Sequence, residues 1–136
     1  MAIDTPRMDD CHGTLPPHSQ EGIRLFNVGE YFEAHEELEL AWREETGPIR
    51  RLYQGILEAA VTYLHMRHGN YPGAIKVYQR SMRWLELWPD ECRGVNVDKL
   101  RNDLTRTVEA WTRLGPERVH EMDWSLLKPV EWKEQN

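Results

Sequence analysis

Cysteine is scarce in this 136-residue chain: Cys11 and Cys92 stand alone, with no Cys-x-x-Cys motif and no secretory leader ahead of them. The plain reading is a reduced, cytoplasmic protein. Long apolar runs are missing too, since no stretch reaches the eighteen or more residues of a membrane span. The first seventeen residues contain Asp, Pro and Gly but no signal-like core, and are expected to form a flexible arm. Basic charge is in deficit, with 17 Lys and Arg against 23 Asp and Glu for a net charge of −6. Phosphate neutralisation needs a clustered basic excess, so no nucleic-acid partner is expected, and no membrane partner either. Runs such as Arg43-Glu44-Glu45 mix the two signs, as solvated helix faces do. No glycine-rich loop follows a strand and no Walker or Rossmann signature is present, so no nucleotide cofactor is expected. Neither cysteine has a recognisable base nearby in sequence, and nucleophilic catalysis finds little support.

What the chain does have is helical periodicity from Ser19 onward. Ser19 reads as the N-cap of a short first helix with Ile23 and Phe26 inward, ended by Gly29. A second helix runs from about Glu30 to Glu45. At roughly 100° per residue, Tyr31, Ala34, His35, Leu38, Ala41 and Trp42 share one face. Gly47-Pro48 breaks the chain, and Pro48 starts a third helix reaching about His68. Its broad apolar face holds Ile49, Leu52, Tyr53, Ile56, Leu57, Ala60, Tyr63 and Leu64, beside a second stripe of Gln54, Glu58, Val61 and His65. Gly69 and Asn70 turn the chain into a fourth helix, about Tyr71 to Trp88, folded back antiparallel. Asn96 caps a fifth helix, closed by Gly115-Pro116. The tail, residues 117–136, carries Trp124 and Trp132 and is expected to dock on its own domain or a second subunit. Residues 18–136 thus read as one all-α domain, a compact bundle of about five helices built from antiparallel hairpins.

One pattern occurs twice, forty residues apart: Gly29-Glu30-Tyr31-Phe32-Glu33-Ala34 and Gly69-Asn70-Tyr71-Pro72-Gly73-Ala74. Leu38, Ala41 and Trp42 then correspond to Tyr78, Ser81 and Met82. This resembles the Gly-x-Tyr-x-x-Ala signal of tetratricopeptide-type hairpins, although the period exceeds the 34 residues of that repeat. It implies a pseudo-repeat of two hairpins closed into one bundle.

A longer resemblance rests on Leu15-Pro16-Pro17, on Phe26-Asn27 followed by Gly29 to Glu36, on Leu38-Glu39 and Trp42-Arg43, on Tyr53-Gln54-Gly55-Ile56-Leu57, and on His65, Gly69-Asn70 and Gly73-Ala74. In order and spacing these resemble the DUF309 family of small helical proteins. The resemblance implies an all-α fold and no established biochemical activity. The family commonly carries Gln where this chain has Glu58, which weighs against any scheme that makes Glu58 an obligatory ligand or base.

The polar residues that could carry chemistry are His35, Glu36, Glu39 and Arg43 on the second helix and Gln54, Glu58 and His65 on the third. His35 and Glu39 are adjacent on one helix surface, and Glu58 and His65 lie two turns apart on another. If those stripes face one another, His35, Glu39, Glu58 and His65 converge as a first shell for a divalent transition metal. The chain has neither the HExxH of zincins nor paired Glu-x-x-His motifs. The plainer alternative is a hydrogen-bonded network in which His35 is a satisfied core histidine, Glu39 pairs with Arg43, and Gly55 and Gly73 mark close helix crossings. Trp42, Trp84, Trp88 and Trp111 are then core and rim aromatics.

Two functions follow. The first is an interaction or scaffold module that presents its hairpins and tail to an unidentified protein partner or to a second copy, with the His/Glu cluster fixing helix register. The second is a metal-binding or metal-dependent enzyme or sensor with a buried pocket around His35, Glu39, Glu58 and His65. Catalytic residues are not assigned, and the interaction module ranks first.

Overall fold

The computed structural model describes residues 8–134. Five α-helices make up most of it: α1 (Pro17–Asn27), α2 (Tyr31–Glu44), α3 (Arg50–Arg67), α4 (Tyr71–Leu85) and α5 (Val97–Leu114). The first four pack in sequence order, α1 on α2, α2 on α3 and α3 on α4, while α5 crosses α4. The all-helical bundle expected from the periodicity is therefore the fold.

The twice-repeated motif marks the same junction twice. Gly29 and Gly69 both sit at positive φ, 83° and 70°, where a Cβ would be strained. Beside each, the next residue donates its backbone N–H five residues back, Glu30 to the Leu25 carbonyl (2.9 Å) and Asn70 to the His65 carbonyl (2.8 Å). That bond closes the ends of α1 and α3 and leaves Tyr31 and Tyr71 to open the next helices. A tetratricopeptide-like repeat is not established beyond this shared junction. The Asn70 side chain accepts from the Gly73 N–H, and Asn96 caps α5 by accepting from the Lys99 N–H.

Aromatic packing joins the first three helices. Phe26, Tyr31 and Tyr63 form a triangle with ring centroids 5.3 to 5.6 Å apart, all three buried. Trp111 of α5 stacks on Tyr71 at 5.9 Å and donates its indole N–H to the Tyr71 carbonyl. Trp88 and Trp111 are core residues. Trp42 and Trp84 lie at the rim, each covered by an arginine of the first turn of α3: Arg50 over Trp42 at 4.9 Å and Arg51 over Trp84 at 4.4 Å.

Several boundaries differ from the sequence reading. Ser19 lies inside α1, its hydroxyl donating to the Pro16 carbonyl, because Pro17 already starts the helix. Arg50 and not Pro48 begins α3, and α4 stops at Leu85. Arg101 of α5 decides the latter end by donating to the Leu85 and Trp88 carbonyls (2.9 and 3.0 Å) and to Asp90. Gly55 does mark a close crossing, whereas a Cβ at Gly73 would first meet the Asn70 cap.

The segment after Trp88 is a β-hairpin, not a plain loop: β1 (Glu91–Cys92) pairs antiparallel with β2 (Val95–Asn96). Its two turn residues, Arg93 and Gly94, both have positive φ, the geometry of a two-residue hairpin turn. A disulfide joins Cys92 to Cys11 across 81 positions. This corrects the expectation of two reduced cysteines, since spacing alone could not show that the fold brings them together. It also corrects the flexible arm for the residues described. Met8–His12 is a 3-10 turn fixed to the hairpin, and Leu15 is buried in the core. Residues 1–7 lie outside the described residues.

The tail closes the molecule. Trp132 bridges to Val95, and the Asn96 and Lys133 N–H groups donate to the Glu131 and Gly94 carbonyls, adding a short third edge to the hairpin. Asn27 exchanges two bonds with the Val130 backbone, Met122 and Val130 are buried, and Arg67 lies over the Trp124 ring at 4.5 Å. Residues 135–136 lie outside the described residues.

Candidate functional site

The polar residues of α2 and α3 divide into separate groups. On α2, the His35 Nε2 lies 3.4 Å from Glu39 Oε2, and Arg43 pairs with the other Glu39 oxygen at 2.6 Å. The row runs up one side of the helix at four-residue spacing, as expected for i, i+4 pairs. The imidazole also packs beside Phe32, ring centroids 6.0 Å apart. Its Nδ1 is buried without a partner. Phe32, His35, Glu36, Glu39 and Leu40 line an open depression of about 270 Å³ on the outward side of α2.

On α3, Glu58 turns away from α2. Its Oε1 accepts from Arg80 Nε of α4 at 3.0 Å, while its Oε2 is buried without a partner. Burial holds the Glu58 carboxyl above the usual range, and the nearby Arg80 guanidinium opposes that shift. Gln54 accepts from Arg51 within the first turns of the same helix. His65 meets Asn70 at 3.1 Å, at the start of α4. Partial burial lowers the His65 imidazole below its ordinary value, and His68 and Arg80 add to that.

The convergence of His35, Glu39, Glu58 and His65 is therefore corrected. Helix α3 lies between α2 and α4, and its two flanks are already allotted. Tyr63 meets Tyr31 of α2, while Gly55 and Glu58 meet Ser81, Leu85 and Arg80 of α4. Among the described residues no group of three or more His, Cys, Asp or Glu side chains is placed to hold a metal ion. A carboxylate tied to arginine, as Glu39 and Glu58 both are, is also a poor ligand until that pair is broken.

Sequence reasoning missed the residues that fix the hairpin and the first turn of α3. Arg93 gave no signal, being one arginine in a short polar stretch. Arg50 and Arg51 did have one, since adjacent arginines at a helix start project about 100° apart, which lets each reach a tryptophan on a different neighbouring helix.

An uncharacterized protein of Aquifex aeolicus (strain VF5) is 30% identical to this chain over 86 residues, which is 60% of this chain and 25% of that protein. The chain thus spans about a quarter of the length of that relative. Residues 19–77, covering α1, α2, α3 and the first half of α4, match the sequence model of DUF309, a domain of unknown function. Over that segment the chain is similar to the DUF309 family.

Proposed function

We propose that this protein is a helical interaction module whose docking surface is the outward side of α2, and that its partner is an amphipathic helix with basic flanks. The observation that carries this is the depression between Phe32, His35, Glu36, Glu39 and Leu40. All five come from one helix, so the depression is the groove between that helix's own side-chain rows, the shape into which the ridge of a second helix packs. Phe32 and Leu40, 51% and 40% exposed, supply apolar contact at its two ends.

Charge selects the partner. Helix α2 carries Glu33, Glu36, Glu37, Glu39 and Glu44 against Arg43 as its one formally cationic residue. A second copy fits poorly: antiparallel self-pairing about the groove's centre would set Glu36 against Glu36. A helix with two apolar anchors and Lys or Arg beside them satisfies both features. A cytoplasmic setting belongs to the same proposal, and no helix among the described residues is long and apolar enough to cross a membrane.

Titration of the full chain with a synthetic amphipathic peptide, in basic-flanked and acidic-flanked versions, tests the proposal. Saturable binding of the basic version alone, weakened at least tenfold by Phe32→Asp or Leu40→Asp with helicity intact, is expected. Equal binding of both peptides, indifference to both substitutions, or self-association through this face would overturn it.

A further inference from the structure

Cys92 sits on β1 and is 1% exposed, while its partner Cys11 is only half-buried, in the 3-10 turn Met8–His12. Arg93, next to Cys92, supplies three further bonds to the same segment. Its backbone N–H donates to the Cys11 carbonyl (2.9 Å), and its guanidinium donates to the carbonyls of Asp10 (2.6 Å) and Thr14 (3.0 Å). The guanidinium also donates to the Tyr53 hydroxyl (3.0 Å) and lies so close over Gly13 that a Cβ there would come within 2.9 Å of it. These contacts gather at one edge of the hairpin. Cys11 packs against the edge of the core, and the chain is first fully buried in it at Leu15, which is 3% exposed. The segment before it is thus strapped to the hairpin by a covalent bond and by the backbone and side chain of Arg93.

We propose that Cys11–Cys92 is a reversible thiol–disulfide site whose substrate is a dithiol reductant, and that its reduction unlatches residues 8–14 from the hairpin. A thiolate of the dithiol attacks Sγ of Cys11, the sulfur of the less buried residue. The protein S–S bond breaks, its electron pair passes to Sγ of Cys92, and that sulfur takes up a proton. The second thiol of the reductant, deprotonated, attacks its own sulfur in the mixed disulfide and expels Cys11 as thiolate, which is protonated in turn. Two electrons and two protons pass from the dithiol to the protein disulfide, leaving a cyclic or bridged disulfide on the reductant. The strap then loses its covalent tie and keeps the Arg93 bonds, and the Tyr53 hydroxyl and the hairpin edge open to water when those break. This site goes beyond the α2 docking face and does not depend on it.

The experiment compares the air-oxidised full chain with the same protein treated with dithiothreitol, by alkylation mass counting and amide exchange. The oxidised protein should add no alkyl group and the reduced protein two. Amide protection at residues 8–14 and Arg93 should fall at least tenfold on reduction, recover on reoxidation, and leave α1 to α5 unchanged. Cys11→Ser should add one alkyl group and show the exchange pattern of the reduced protein under both conditions. Free thiols in the air-oxidised protein, an unchanged strap after reduction, or loss of protection throughout the helices would each overturn the proposal, the last because the bond would then be a structural staple.

Discussion

Glu58 shows how much a single side chain depends on what faces it. One oxygen is bonded to Arg80, the other is buried without a well-formed hydrogen bond, and the Trp84 side chain lies close enough to favour the charged form. Its pKa is raised, chiefly by burial. Below the usual carboxyl value of 4.5 both folded and unfolded chains hold the proton. As pH rises from there to the raised native value, the unfolded chain loses the proton first, so this residue's contribution to stability falls. Above the native value the penalty is complete and constant. Glu58→Gln removes the charge and retains an oxygen for Arg80, which is 47% exposed at its side chain and can be rehydrated. The variant should be as stable as the parent at pH 8, or more stable by up to about 1 kcal/mol, with a flatter pH profile. Thermal melts from pH 4 to 8 check this. A loss above about 2 kcal/mol at pH 8 would mean that the ionised bond outweighs the buried, unpaired oxygen.

At the scale of elements, the α3–α4 pair is set by a close approach at Gly55. A Cβ there would lie 2.7 Å from the Leu85 side chain and 3.4 Å from its backbone nitrogen, and the Gly55 carbonyl accepts from the buried Ser81 hydroxyl at 2.7 Å. Alanine would gain about 1 kcal/mol of helix propensity. Overpacking against a fully buried leucine costs about 1–3 kcal/mol, and the neighbouring backbone cannot easily yield. Gly55→Ala should therefore lose up to about 2 kcal/mol in denaturant unfolding, with helical content unchanged. A raised midpoint would show that α4 shifts freely on α3.

The tail matters to the whole molecule because it joins elements far apart in sequence. Asn27 of α1 bonds Val130, Thr107 of α5 bonds the Leu126 carbonyl, and Trp132 bridges to β2. Truncation after Gly115 removes two fully buried apolar side chains, Met122 and Val130, and uncovers the surfaces beneath them. At about 1.5–3 kcal/mol each, less the cost of ordering the segment, the loss should be on the order of 3 kcal/mol. Calorimetry of the truncated chain measures it, and an undiminished melting temperature would make the tail a loose appendage.

Much of this architecture is local and was legible. Gly29 and Gly69 end helices because positive φ is cheap only for glycine, and Asn70 and Asn96 start them because a short side-chain oxygen reaches the free N–H groups of the first turn. Apolar spacing at 3.6 residues did the rest, in α2 and α3 above all. The candidate site was less legible. Periodicity says which residues share a side of one helix, not which neighbour that side meets, and so it could not decide that Glu58 turns to Arg80 while His35 and Glu39 stay with Arg43. The β-hairpin, the Arg101 cap on α4, the Arg93 strap and the bond between Cys11 and Cys92 likewise belong to the tertiary structure. Each joins groups separated by loops or whole helices, and contacts at that range are set by how the helices stack and not by the residues on either side.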